Sequence, residues 1–104
     1  MTYVPADYVA DPATEDYLPD GRHLVDGMTV LIGDPRFRVS LPPADAFEQV
    51  RADEMNRWAV ISEVSVRRSR RPPDMVTFSA TYDDGGQLWR SYSVGLPWLA
   101  KKTP

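Results

Sequence analysis

The sequence predicts a mainly β fold, a small five-stranded, partly open antiparallel barrel with one short helix and an extended N-terminal arm. Three observations lead there. Short runs of alternating, β-branched and aromatic residues recur after residue 24. Proline and glycine break them at Gly33-Asp34-Pro35, Pro42-Pro43 and Asp83-Asp84-Gly85-Gly86, and a single stretch, Ala46 to Glu54, carries helix signals. The 104 residues, 42% of them hydrophobic, are enough for one core and too few for two.

Residues 1–23 read as the arm and 24–104 as the barrel domain. Pro5, Pro12 and Pro19, with Asp7, Asp11, Glu15, Asp16 and Asp20 and no base before residue 21, leave little that forms a helix or strand. The pairs Tyr3-Val4, Tyr8-Val9 and Tyr17-Leu18 interleave apolar and acidic groups. Such an arm is a solvated tail, a cover for its own barrel, or a segment that binds a partner.

In the body, Asp26-Gly27 turns the chain into Met28-Thr29-Val30-Leu31-Ile32, a first strand, and Phe37-Arg38-Val39-Ser40 alternates as a second. Asp45 and Glu48 form a capping box for the helix Ala46 to Glu54, with Phe47 and Val50 on its buried face and Asn56 as a stop. In the third strand Trp58, Val60, Val64 and Val66 share the buried face, opposite Ala59, Glu63 and Ser65. The fourth strand alternates at Val76, Phe78, Ala80 and Tyr82, and the fifth at Leu88, Tyr92 and Val94.

A two-residue loop at Asp84-Gly85 would throw these two apolar sets onto opposite faces. A three-residue loop, Asp84 to Gly86, pairs Tyr82 with Leu88 and Phe78 with Tyr92 and puts Gly86 in the left-handed conformation. It also puts Trp89 with Thr77, Ser79, Thr81, Ser91 and Ser93 on the polar face. Leu96-Pro97-Trp98-Leu99 closes the chain as a turn of 3₁₀ helix, with Trp98 as a plug and Trp58 in the core.

The run from Asp26 to Ile32, then Trp58 to Val66, the tight hairpin and the terminal Trp98 resemble the small SH3-like barrels of the Tudor and KOW kind, over roughly residues 24 to 99. The resemblance lies in strand count and turn placement. It implies binding of peptide, protein or nucleic acid more than catalysis.

The residues point the same way. The chain has no cysteine and one histidine, His23, so thiolate metal sites, a serine triad and a multi-histidine centre cannot be assembled. No catalytic, cofactor-binding or metal-ligating residue is assigned, and the protein reads as a non-enzyme. Absence of cysteine permits a reducing compartment. No apolar run approaches the roughly 20 residues that span a bilayer, and the first residues lack a basic start or an apolar stretch. A cytoplasmic protein without membrane contact is expected, or a virion-associated one. Arginine outnumbers lysine ten to two, the bias of a high-GC bacterium or its phage, and an accessory protein of that setting fits.

Two functions follow. In the first, a protein-interaction module engages a protein partner or another copy of itself through Tyr3, Tyr8 and Tyr17 of the arm and the exposed Trp89. In the second, Arg67, Arg68, Arg70 and Arg71 grip phosphate, and the acidic arm competes for that loop when nucleic acid is absent. The net charge of -3 weighs against the second.

Overall fold

The computed structural model describes residues 3–5, 8–34, 38, 45–47, 50 and 55–102. Six strands, one more than the sequence predicts, are present among them: β1 (Glu15–Leu18), β2 (Thr29–Ile32), β3 (Arg57–Arg67), β4 (Met75–Tyr82), β5 (Gln87–Ser93) and β6 (Trp98–Lys101). They form one antiparallel sheet in the order β1-β6-β2-β3-β4-β5.

Both ends of the sheet correct the sequence reading. The acidic, proline-punctuated arm contributes a strand, because Glu15 to Leu18 finds Lys101 to Trp98 as a ready-made partner. Cross-strand pairing overrides weak local propensity there. Of the residues expected as a closing 3₁₀ turn, Trp98 and Leu99 open that partner, β6, and a 3₁₀ turn occurs instead at Gly21–His23, capped by the Asp20 side chain on the Arg22 N–H. The expected strand Phe37 to Ser40 lies outside the described residues except for Arg38, which sits in a turn.

Of the expected helix, Ala46, Phe47 and Val50 are described and helical, as is Met55, and the remainder lies outside the described residues. Phe47 and Val50 are exposed rather than buried, at 77% and 56%. Phe78, Tyr92, Trp98 and Arg38 instead pack on one another.

The sheet curls strongly. Trp98 of β6 meets Phe78 of β4 edge-on at 5.6 Å and Tyr92 of β5 at 5.1 Å, although β6 and β5 are four places apart in strand order. The Gly21 N–H also donates to the Val94 carbonyl at 2.7 Å, tying the chain after β1 to the chain after β5. The sheet does not close, since β1 and β5 are not ladder neighbours. Its concave side holds the main core of Leu24, Val30, Ile32, Ala59, Ile61, Val76, Phe78, Ala80, Tyr82, Val94, Trp98 and Ala100.

Strand β3 departs from simple alternation. Ala59 and Ile61 are its buried residues, while Val60 is 46% exposed, the reverse of the predicted faces. Between Ser62 and Ser65 the register slips by one residue, with Glu63 at φ 54°. This bulge inverts the phase, so Val64 returns to the core side. The Asp26 carboxylate accepts the Val64 N–H at 2.9 Å, and the Gly27 N–H reaches the Ile61 carbonyl at 2.8 Å, so the Asp26-Gly27 turn braces the bulge.

The β4–β5 hairpin has a three-residue loop of the expected length, centred one residue earlier. The Tyr82 N–H donates to the Gly86 carbonyl at 2.9 Å, the Tyr82 carbonyl accepts the Gly85 N–H at 3.0 Å, and Ala80 faces Leu88. Gly85, at φ 84°, takes the left-handed position instead of Gly86. The shift moves partners by two, so Phe78 faces Arg90 and Val76 faces Tyr92, and both strands keep the face assignment that the alternation predicts.

Candidate functional site

The convex face of the sheet is divided in two. One half is covered by the arm. Val4, buried, packs on Leu31 and Leu99, with Tyr8, Ala10 and Trp58 around them, and the Val4 N–H donates to the Asn56 carbonyl at 2.7 Å. The Tyr8 ring meets Trp58 edge-on at 6.4 Å. Its hydroxyl donates to the buried Glu15 carboxylate, with oxygens at 2.5 and 2.6 Å, and that carboxylate also accepts the Asp11 N–H at 2.7 Å. Burial, the hydrogen bond and the negative charge of Glu15 push the Tyr8 phenol up to about 12.

Three further acids of the arm are engaged locally too. Asp16 pairs with Lys102 at 3.7 Å, Asp11 accepts from the Ala13 N–H, and Asp20 caps the 3₁₀ turn. The three tyrosines do not form one patch. Tyr8 is half-buried against Trp58, Tyr3 stands beside the Arg57 guanidinium at 5.6 Å, and Tyr17 projects from β1 at 52% exposure.

The other half of the convex face is open. Register places Val60, Ser62, Ser65 and Arg67 of β3 beside Thr81, Ser79, Thr77 and Met75 of β4, and these beside Gln87, Trp89, Ser91 and Ser93 of β5. Trp89 lies opposite Ser79, 65% exposed, on the face that the sequence alternation assigns to it. Arg67, Thr77, Trp89, Arg90 and Ser91 line a shallow groove of about 270 Å³. The Arg90 guanidinium is held from the other side by the Tyr82 hydroxyl at 3.0 Å. Farther along the face, Thr29, Trp58, Val60, Thr81 and Lys101 border a second groove of about 290 Å³.

Arg67 ends β3, and Arg68, Arg70 and Arg71 follow in the β3–β4 connection, all exposed. Asp74 braces this loop by accepting the Ser69 N–H at 3.2 Å and lying 3.9 Å from Arg22. Among the described residues no carboxylate pairs with any of the four guanidiniums. Sequence reasoning singled out Trp89 and Arg67 for two different functions and did not bring them together; the structure places both in one groove. Sequence reasoning missed Arg90, whose signal was only its position beside Trp89.

Arg38 is the second residue that sequence reasoning misplaced. It was expected on the polar side of a strand, yet it is fully buried, its guanidinium 3.7 Å above the Trp98 ring and 4.7 Å from that of Tyr92. None of its nitrogens has a hydrogen-bond partner, nor has the Trp98 indole nitrogen. Burial pushes the Arg38 guanidinium down to about 10, against the opposing influence of Tyr92 and Asp34. Among the described residues no group of three His, Cys, Asp or Glu side chains is placed to hold a metal ion, and no helix is long and apolar enough to cross a membrane. In comparisons with protein-family models, curated proteins and solved structures, no match to the chain is found.

Proposed function

We propose that the protein is a non-enzymatic protein-interaction module whose working surface is the open half of its convex face, centred on Trp89. The supporting observation is the Trp89 groove: a large aromatic side chain presented on a hydrogen-bonded hairpin, amid small hydroxyls, with Arg67 and Arg90 at its walls. An indole on a rigid strand offers contact area at small entropic cost, and the exposed Arg67 guanidinium favours an acidic segment. In this reading the arm belongs to the fold, and of its tyrosines only Tyr3 and Tyr17 retain exposed surface for a partner. The curled sheet of short strands accords with the SH3-like resemblance, and the arginine bias with a cytoplasmic or virion-associated accessory protein of a high-GC bacterium or phage.

A second reading has its own support. Among the described residues Arg67, beside the exposed Trp89, and Arg68, Arg70 and Arg71 of the adjoining loop have no carboxylate partner, and exposed guanidiniums near an indole are also the combination that holds phosphates while a base stacks. The carboxylates of Glu15 and Asp16 are engaged within the arm and with Lys102, which weighs against those two as competitors for the loop.

Fluorescence anisotropy separates the two. The probes are a labelled aspartate-rich peptide containing one tyrosine and a labelled mixed-sequence single-stranded oligonucleotide. The proteins are the wild type, Trp89→Ala, and a variant with Arg67, Arg68, Arg70 and Arg71 all changed to Ala. Peptide binding that both variants lose supports the protein-interaction reading. Oligonucleotide binding that weakens steeply with salt, without peptide binding, replaces it with the second. Binding of neither probe overturns both.

A further inference from the structure

We infer that β5 is a dimerisation edge and that its partner is β5 of a second copy of this chain. The inference rests on the reading of the Trp89 face as the binding surface and names the occupant. In the antiparallel β4–β5 ladder, hydrogen-bonded and non-bonded pairs alternate. The bonds from the Tyr82 N–H to the Gly86 carbonyl and from the Val94 N–H to the Asp74 carbonyl fix which pairs are which. Leu88, Arg90 and Tyr92 therefore turn their backbone groups toward β4. Gln87, Trp89, Ser91 and Ser93 turn theirs outward, where no strand lies among the described residues.

The usual protections of an edge are missing. The strand is seven residues long, without proline or lysine, and Leu88 and Trp89 are 54% and 65% exposed. Its one charge, on Arg90, is directed to the Tyr82 hydroxyl.

The charges at the two ends of β5 select a second copy in antiparallel orientation. Ser93 lies beside Met75 and, through it, Arg67, so that end adjoins the arginine loop. Gln87 follows the Asp83-Asp84 turn, whose two carboxylates share the single Arg57 guanidinium at 3.2 and 3.4 Å, so the turn keeps a net negative charge. A two-fold axis sets each copy's arginine loop next to its partner's Asp83-Asp84 turn, whereas a parallel pairing would set arginine against arginine.

The same reasoning gives the register. Outward-facing residues must pair with one another, which leaves registers centred on Trp89, on Arg90 or on Ser91 as the candidates. Centring on Arg90 opposes two like charges, and centring on Ser91 leaves the indoles far apart. Centring on Trp89 places the two indoles side by side on the convex face, pairs Gln87 with Ser91, and brings Ser93 opposite Gly85 at the tip of the partner's acidic turn.

Sedimentation equilibrium of the full chain across micromolar to near-millimolar concentration tests this. The expected result is a mass that doubles as concentration rises and a dimer that weakens with salt. Ser91→Pro removes an outward N–H and leaves the β4 ladder intact, so it should raise the dimer dissociation constant by about a hundredfold with unchanged circular dichroism. Trp89→Arg, which places like charges on the axis, is the second variant should the first fail to fold. A wild type that stays monomeric throughout, or a dimer that survives these variants, overturns the inference. Anisotropy with the acidic peptide then separates the two failures: a monomer that binds it leaves the Trp89 surface standing, and a monomer that does not removes both.

Discussion

Replacing Arg38 by Met should stabilise the protein, although it deletes a fully buried side chain. The guanidinium is pushed down to about 10 by burial, and at about 1.4 kcal/mol per pH unit of depression its charged form costs the fold about 3 kcal/mol at neutral pH. Stacking on Trp98 and Tyr92 offsets this with about 2 kcal/mol. Methionine fills similar space, leaves no unpaired donor, and recovers about 1 kcal/mol of sulfur–aromatic contact with the same rings. The net expectation is a gain of about 2 kcal/mol. The linkage has a definite sign. The folded state releases the Arg38 proton near pH 10 while the unfolded chain holds it to higher pH, so the wild type carries the deficit at every pH below about 10 and recovers only above it. Urea titration at pH 7, followed by circular dichroism, reads the difference directly. A Met variant less stable than wild type by 1 kcal/mol or more, with an unchanged denaturant slope, would refute the reasoning and show that the stacked charge is a net stabiliser.

Three further outcomes are expected. Val4→Ala should cost about 2 kcal/mol in the same titration, since Val4 is buried against Leu31 and Leu99, whereas a change at a free tail would cost nothing. Spectrophotometric titration should show the Tyr8 phenol ionising near pH 12. Tyr8→Phe should abolish that step, and because the folded state keeps this proton longer than the unfolded one, its contribution to stability is present below pH 10 and is lost between about 10 and 12. Glu63→Gly should stabilise by about 1 kcal/mol, because φ 54° is strained for glutamate and free for glycine; a loss would mean that the exposed side chain has a compensating role.

What the sequence revealed depended on how local the cause was. The β4–β5 faces were legible because Val76, Phe78, Ala80 and Tyr82 alternate without interruption, and a loop displaced by one residue at both ends preserves parity. The same alternation made the placement of Trp89 readable. The faces of β3 were not legible, since the bulge at Glu63 is held by Asp26, a residue far off in sequence. The one available signal was Ile61, the most apolar residue of the run, which alternation puts with Ala59 and Glu63 on the face assigned as exposed. Strand β1 was hidden for a similar reason: its acids and prolines describe a poor isolated strand, and only β6 makes it a good edge. Nothing in the local pattern distinguished Arg38 from a solvated arginine.

The pairing of β1 with β6 also determines how the molecule responds to tension. Glu15 lies opposite Lys101 and Leu18 opposite Trp98, so the chain enters β1 and leaves β6 at the same corner of the sheet. A pull on the two flanking segments therefore loads the ladder one rung at a time from the Glu15–Lys101 end, like a zip, instead of straining all rungs together. Rupture occurs at low force, and the first piece to lift away carries the arm with it, baring Leu31, Leu99 and Trp58 while the β3–β4–β5 hairpins stay assembled.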